Sequence, residues 1–568
     1  MISKFFKLIS IYSLTLCFQI ICIPNSLAQV DFDEKNIANY FSGSVSLNNN
    51  DNFQAVKYFN FTKNLKNTHE NFNRNYIISL VLDGKVSKSV SELKATSEQK
   101  YSNFFNLNLI LILEEIKRNN FDKAKAKLIN LEKFEQDGKL EFVLYRTIKR
   151  YTELFLNKKT SKNDINELGN IGEITNAFEK CYLGEMDTEK SFINLINSDD
   201  GDFSRYLFFY VNYLISNEKF ELAKKHVLKV NFLNSNLITA QTKQWILEEN
   251  YKDFSKIFSC KNHNHLISEF LYLIANLYSS EGYYMESNFY LKLSHYMNPR
   301  FNFNLSLLLD NYLEINKIKE AKEIINKFKE KNESYYWYGL KQQANIISDK
   351  EGEKKAFEFI KSKFNKINNP NIKLKYDLAN FAKNSKLYEI SIKYYSEILK
   401  ELDNQSNLYA KILYRRGGSY ERIGNYEKSD IDLLAALKII PDNSYVLNYL
   451  AYSWLERNYK IREAIKMLEL AYEQNENDPY IIDSVGWGYY LTEKFEEAEI
   501  FMRRALELMP NDPIVNDHYG DILWSLNRKI QAKYFWSNVL KLKDVDDETK
   551  IKIKTKLLKG PKKINESS

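Results

Sequence analysis

The sequence contains little proline, glycine and cysteine. Its 568 residues include 8 prolines, 17 glycines and 4 cysteines, and no proline occurs between Gln29 and Asn298. A β-sandwich needs a turn about every ten residues, and glycine and proline are the usual turn residues. Their scarcity therefore excludes a strand-rich fold, and the aromatic content of 14% fits long helices that pack through aromatic side chains.

Long apolar runs are also lacking after the first residues, so no later segment is expected to span a bilayer. The first seven residues include two lysines. An apolar stretch over residues 8–23 and then Ser26-Leu27-Ala28 follow. This order is typical of a secretory signal peptide, residues 1–28, that is cleaved before Gln29. The lipobox of a lipoprotein signal is missing at Cys17 and Cys22, so we expect a periplasmic protein, free or associated with the outer membrane, rather than a lipid-anchored one.

Over most of the chain, charge of one sign is not concentrated. The net charge of +7 falls to +5 without Lys4 and Lys7, and lysines interleave with glutamates along most of the chain. A nucleic-acid-binding protein gathers its basic residues on one face. We therefore expect no nucleic-acid partner.

Signals of catalysis and of metal binding are weak. There is no Walker loop, HExxH, GxSxG or GxGxxG motif, and six histidines leave little general-base capacity. Cys260, His263 and His265, with Glu269 one turn on, form the one metal-like cluster, but their spacing matches no standard zinc site and a polar loop is the preferred interpretation. We expect neither a metal nor a cofactor, and we expect that Cys181 and Cys260 remain free, buried thiols.

A repeat of about 34 residues runs through the second half of the chain. A mostly small residue recurs in the first helix of each unit: Ala275, Leu309, Ala344, Ala379, Gly417, Ala451, Gly486 and Gly520. A second small residue follows in the next helix: Ser287, Ala321, Ala356, Ser391, Ser429, Ala464, Ala498 and Ala532. Asp478-Pro479 and Asp512-Pro513 are helix starts one period apart, since aspartate caps free amides and proline tolerates the first turn. The pattern predicts helical hairpins whose two helices touch at the small residues.

This period, with its small and aromatic positions, resembles the tetratricopeptide repeat (TPR), and the best unit is Tyr414 to Pro441. The resemblance implies an all-α fold, a TPR helix-turn-helix solenoid with a right-handed superhelix. We assign eight tandem units to residues 266–545, degenerate TPR-like helical repeats to 29–265, and a capping helix with a basic tail to 546–568. A separate helical domain over 29–265 is the alternative.

The C-terminal repeats carry a narrower resemblance over about residues 440–540. Asp483-Ser484-Val485-Gly486-Trp487 and Asn516-Asp517-His518-Tyr519-Gly520-Asp521, with Trp524, are similar to a subgroup of proteobacterial envelope TPR proteins. Some of those relatives are outer-membrane adaptors for a C-terminal processing protease. The likeness implies an envelope adaptor, although the lipobox of such relatives is missing here.

The family resemblance also implies a concave groove lined by the first helix of each hairpin. The predicted partner-binding residues are Tyr445, Asn448, Tyr452, Tyr480, Asp483, Trp487, Tyr490, Asp517, Asp521 and Trp524. Amides and carboxylates at such positions hydrogen-bond to an extended peptide, and aromatic rings supply rigid contact area. The three aspartates should repel an acidic chain end. In the opposing interpretation the aromatic rings are part of the hydrophobic core and the aspartates are helix caps. For His518 we expect a structural role.

Three functions remain open at this stage. The first is a scaffold or adaptor that binds a protein or peptide partner, such as an envelope protease or assembly factor, in the concave groove. The second is a structural component docked through its convex face. The third is an enzyme with an unrecognised site in the N-terminal half, for which no clustered catalytic residues are found, and we therefore expect no enzyme.

Overall fold

The structure is a computed structural model that describes residues 34–67, 69–97, 101–135, 140–160, 166–197, 204–229, 236–329, 333–542 and 545–561. Within these ranges the regular elements are helices, with no strand, which confirms the predicted all-α fold. The chain forms two compact units, the first ending at Tyr336 and the second beginning at Trp337. The predicted signal peptide lies outside the described residues and stays a prediction.

The first unit is built from α-helices that follow one another along the chain. They are α1 (Glu34–Asn48), α2 (Asn52–Asn60), α3 (Glu70–Leu82), α4 (Val86–Lys94), α5 (Phe105–Lys117), α6 (Phe121–Leu128), α7 (Leu140–Asn157), α8 (Gly169–Leu183), α9 (Thr188–Ile196), α10 (Tyr206–Ser216), α11 (Phe220–Leu228), α12 (Leu237–Leu247), α13 (Lys252–Ile257), α14 (His263–Ser280), α15 (Tyr284–Met297), α16 (Phe303–Glu314) and α17 (Ile318–Ile325).

The second unit begins inside α18 and continues in the same way. Its helices are α18 (Glu333–Glu351), α19 (Glu353–Phe364), α20 (Ile372–Asn384), α21 (Tyr388–Leu399), α22 (Asn407–Arg422), α23 (Tyr426–Ile439), α24 (Ser444–Glu456), α25 (Ile461–Gln474), α26 (Pro479–Leu491), α27 (Phe495–Leu508), α28 (Pro513–Ser525), α29 (Lys529–Val539) and α30 (Asp547–Lys559). From α14 to α29 each odd-numbered helix packs on the even-numbered helix before it, except that α18 and α19 are paired here by sequence alone. We call the even-numbered members the first helices.

Local sequence signals set several of these helix starts. Asp478 and Asp512 each accept two hydrogen bonds from backbone N–H groups of the first turn, and a proline occupies the next position. An aspartate at such a cap satisfies amides that have no intrahelical partner. Within the first unit Asn236 caps α12 in the same way.

The small residues of the repeat lie where paired helices touch. Seven of the first series and all eight of the second series are buried alanine, glycine or serine, and the eighth member of the first series is the buried Leu309. At Gly520 a Cβ atom would lie 2.3 Å from Nε1 of Trp536, so only glycine fits beside that fully buried ring. The same kind of contact joins α1 and α2, where a Cβ at Gly43 would lie 2.8 Å from the Phe59 ring.

In the first unit, helices far apart in sequence also meet. Helix α15 packs on α3, and Tyr296 of α15 donates a hydrogen bond of 2.7 Å to Glu114 of α5.

The expectation of free thiols was wrong, because Cys181 and Cys260 form a disulfide with a Cα–Cα distance of 5.8 Å. Stacking of successive repeats alone would keep these positions apart, but here the end of α8 lies next to the turn before α14: Lys261 Nζ donates to the carbonyl of Tyr182.

The part of the chain that the structure describes contains no helix both long and apolar enough to cross a bilayer.

Candidate functional site

The ten residues predicted to line a groove lie on three first helices of the second unit. Tyr445, Asn448 and Tyr452 are on α24, the next four are on α26, and the last three are on α28. The structure divides them into an open group at the α24 end and a covered group at the α28 end. The two groups differ in exposure and in hydrogen-bond partners.

The open group consists of Tyr445, Asn448, Tyr452 and Tyr480. Tyr445 and Tyr480 are 56% and 63% exposed, although both are large apolar rings on well-packed helices. The amide oxygen of Asn448 is buried and has no hydrogen-bond partner among the described residues. Tyr452 is half-buried, and burial, followed by the charges of Glu456 and Asp483, raises its pKa. These residues therefore expose two rings to solvent, above an acceptor that is buried and unpaired.

Next to the open group, three rings stack on one another. The Trp487 ring lies 4.7 Å from the Tyr490 ring and 3.9 Å from the His518 ring, with interplanar angles of 20° and 14°. Trp487 is half-buried and donates from Nε1 to Glu456 at 2.8 Å, whereas Tyr490 is buried. Trp487 therefore borders the open group and also stabilises the packing of α26 on α28.

His518 connects this stack to a buried carboxylate. Its Nδ1 lies 2.9 Å from Oδ1 of Asp483, and both side chains are buried. Burial acts to lower the pKa of His518, but the charge of Asp483 and its hydrogen bond outweigh burial, so that the pKa is raised. A protonated imidazole stacked on an indole gains further from the negative ring face. The interpretation of His518 as structural agrees with these contacts.

The covered group centres on a lysine of the last helix. Lys556 on α30 is 6% exposed, and its ammonium lies 2.5 Å from Asp517 Oδ1 and 2.7 Å from Asp521 Oδ2. Lys552, one turn earlier, lies 3.3 Å from Asp517 Oδ2, and Trp536 donates from Nε1 to Asp521 at 3.2 Å. Both carboxylates are thus neutralised by the chain itself.

The two carboxylates respond differently to their surroundings. Burial, the largest influence on both, acts to raise their pKa values. The charges of Lys556 and Lys552 outweigh burial at Asp517, so its pKa is lowered. Asp521 has Lys556 alone as a close cation and feels the negative charge of Asp517, and its pKa rises to about 6. Because both carboxylates contact the one ammonium of Lys556, the protonation of one affects the pKa of the other.

Asp517 and Asp521, which the sequence predicts to contact a partner, bind Lys556 in this structure. Lys556 points inward from α30, whereas Lys552 and Lys554 are exposed. Trp524 is covered as well: a Cβ at Gly560 would lie 2.6 Å from its ring. The lysine spacing at 552 and 556, with the apolar Ile553 between them, was the available signal.

The metal-like cluster of the first unit has other partners. Cys260 is bonded to Cys181, and Glu269 forms a buried ion pair with Arg205. Nδ1 of His265 accepts a hydrogen bond of 2.9 Å from the amide of Ser259. The thiolate and the carboxylate that a zinc ion would need are therefore already engaged.

Comparison with known proteins identifies the repeat. The tetratricopeptide-repeat family model matches residues 410–443, which include α22 and α23. Over 125 residues the chain is 34% identical to TPR repeat-containing protein PA4667 of Pseudomonas aeruginosa, a match that covers 22% of this chain and 20% of that protein. The chain thus spans about a fifth of the length of this curated relative.

Three solved structures are similar over part of the chain, and two of them are of TPR proteins. A thermophilic TPR protein of Thermus thermophilus, TTC0263, has 17% identity and a TM-score of 0.30, and the match covers 33% of this chain and all of that one. A TPR protein of Parabacteroides merdae has 17% identity and a TM-score of 0.31, with 39% and 85% covered. MamA of Desulfovibrio magneticus, residues 41 to the end, has 19% identity and a TM-score of 0.27, with 31% and 97% covered.

Proposed function

Because this chain is a tetratricopeptide-repeat protein, we propose that it is a scaffold or adaptor that binds a protein or peptide partner along the first helices of its second unit. The observation that carries the proposal is the open group on α24 and α26. Two tyrosine rings there are more than half exposed, and the Asn448 oxygen between them in sequence has no partner among the described residues. Exposed aromatic rings are typical of protein-binding surfaces.

We further propose that the protein acts in the bacterial envelope. The N-terminal sequence supports export, and the narrower resemblance of residues 440–540 supports an adaptor role beside an envelope protease or assembly factor. We expect no nucleic-acid partner and no catalysis by the chain itself, so its activity is to position another protein.

A second candidate is a structural component that docks through its convex face, on the odd-numbered helices. One observation favours it. Ile500 on α27 and Ile530 and Tyr534 on α29 are large apolar side chains that are 60%, 89% and 64% exposed. A structural component of an envelope complex could bury this face. The two candidates therefore differ in which set of helices contacts the partner.

Site-specific photo-crosslinking in cells distinguishes them. A photoreactive residue is placed at Tyr445 or at Tyr480, and in the control at Tyr534, which has the same residue type and nearly the same exposure as Tyr480. The groove proposal predicts that one protein is crosslinked from positions 445 and 480 and not from 534. Crosslinking from 534 alone supports the docked component and contradicts the adaptor.

A further inference from the structure

Two cations on the first helices of the second unit have no counter-ion. Lys383 lies on α20 and Arg415 on α22, and both are only partly exposed. In the described part of the chain, the Lys383 ammonium has no hydrogen-bond or ion-pair partner, and Nε of Arg415 is buried without an acceptor. Neighbouring cations are paired: Arg416 binds Asp432 with two hydrogen bonds of 2.7 Å. Within the described residues, the fold thus supplies a carboxylate to Arg416 and none to Lys383 or Arg415.

The Lys383 ammonium occupies a niche made by a glycine. Gly418 stands one residue after the small position of its repeat, where the other first helices of this unit carry Asn345, Asn380, Tyr452, Trp487 and Asp521. A Cβ at Gly418 would lie 2.9 Å from Lys383 Nζ and 3.3 Å from Tyr449 Oη. The lysine of one repeat thus reaches across the next first helix, on the face that carries the groove positions.

Leaving these charges unpaired is costly. Burial, reinforced by the charges of Arg415 and Arg422, lowers the pKa of Lys383 to about 8. The nearby Glu421 accepts a hydrogen bond from Tyr449 Oη at 3.1 Å and lies 3.5 Å from Arg422 Nε, so it already has partners of its own. An anion from outside the chain would offset the cost of burying both cations.

The charge argument against an acidic partner does not hold in the folded protein. Asp517 and Asp521 are neutralised by Lys552 and Lys556, and Asp483 is hydrogen-bonded to His518. These three aspartates therefore do not oppose an acidic partner at α20 and α22.

We propose that Lys383 and Arg415 bind side-chain carboxylates of an acidic segment in the partner. This inference rests on the proposed function and names the chemistry of its partner. We favour side-chain carboxylates of the partner over its terminal carboxylate. The first helix α18 lies before α20 and α22 in the chain, and the first helices α24 and α26 lie after them. A bound chain has surface to contact in both directions.

The test measures binding of a fluorescent peptide rich in glutamate and leucine, acetylated and amidated at its ends, to the full mature chain. The control peptide carries glutamine in place of glutamate, and a third peptide carries glutamine with a free terminal carboxylate. Lys383→Gln and Arg415→Gln should each weaken the glutamate peptide by at least about tenfold, since each removes one charged hydrogen bond. The control variant is Lys438→Gln, at an exposed lysine on α23. It removes the same charge and should leave the affinity for the glutamate peptide unchanged.

Thermal unfolding is followed for the same variants. Because both cations are unpaired, Lys383→Gln and Arg415→Gln should unfold at or above the melting temperature of the parent protein. Equal binding of the glutamate and glutamine peptides overturns the inference, as does binding that requires the free terminal carboxylate. If a partner crosslinked at 445 and 480 binds both variants as tightly as the parent, the adaptor function stands and the acidic segment is refuted.

Discussion

The contact of Lys556 with Asp517 and Asp521 makes the sharpest prediction about stability. Lys556→Met keeps the length of the side chain and removes its charge, which leaves two buried carboxylates with only Lys552 nearby. Lys556 is 6% exposed, and each carboxylate is 2.5 to 2.7 Å from its ammonium. Removing one partner of such a buried ion pair costs about 3–5 kcal/mol of unfolding free energy, because the remaining charges stay uncompensated.

Urea unfolding followed by tryptophan fluorescence measures this loss. Five of the six tryptophans lie after residue 336, so the signal reports mainly on the second unit. Lys554→Met is the matched control, since Lys554 is exposed on the same helix. Its effect should stay within about 0.5 kcal/mol, as for most surface substitutions.

A triple variant separates charge from packing. Adding Asp517→Asn and Asp521→Asn to Lys556→Met removes the uncompensated charges, and most of the lost stability should return. The reasoning is refuted if Lys556→Met is no more harmful than Lys554→Met. It is also refuted if the triple variant is as unstable as the single one, since packing would then account for the loss.

Three further outcomes are expected. Mass spectrometry without reductant should find the peptides of Cys181 and Cys260 joined. Reduction should lower the unfolding free energy by about 4 kcal/mol, because the bond closes a loop of 79 residues. Two free thiols in the folded protein would contradict this. Gly520→Ala should cost about 1–3 kcal/mol in urea unfolding by overpacking Trp536, and an unchanged midpoint would contradict the close contact. The folded-state pKa of His518 is raised, so its stabilisation is complete below the unfolded value of about 6.5 and is lost as pH rises through the folded value. The stability difference between the parent and His518→Gln should therefore shrink with rising pH, and a difference that grows would refute it.

The helices and their contacts were accessible from the sequence because they depend on neighbours in the chain. The period of small residues, such as Gly417 with Ser429, places two helices of a hairpin against each other. The Asp-Pro pairs at 478 and 512 fix helix starts by local hydrogen bonds. Both signals act within about forty residues, which is the range over which repeat patterns are informative.

Contacts between distant segments were not accessible in this way. The disulfide depends on how α8 approaches the turn before α14, which no repeat spacing specifies. The ion pair of Asp517 depends on where α30 packs. A run of lysines is equally compatible with buried ion pairs and with a helix face exposed to solvent. The same limit applied to Trp487, whose contacts with Tyr490 and His518 make its truncation a test of stability as well as of binding.

The central claim is that the first helices of the second unit bind the partner, and one affinity comparison tests it most directly. The crosslinked partner is titrated with the parent chain, with Tyr445→Ala/Tyr480→Ala, and with Tyr534→Ala. All three tyrosines are more than half exposed, so the fold should tolerate each change. The account predicts a loss of about thirtyfold or more for the double variant, as for aromatic residues at the centre of an interface, and no change for Tyr534→Ala. Weakened binding by Tyr534→Ala, with the double variant unchanged, would contradict it.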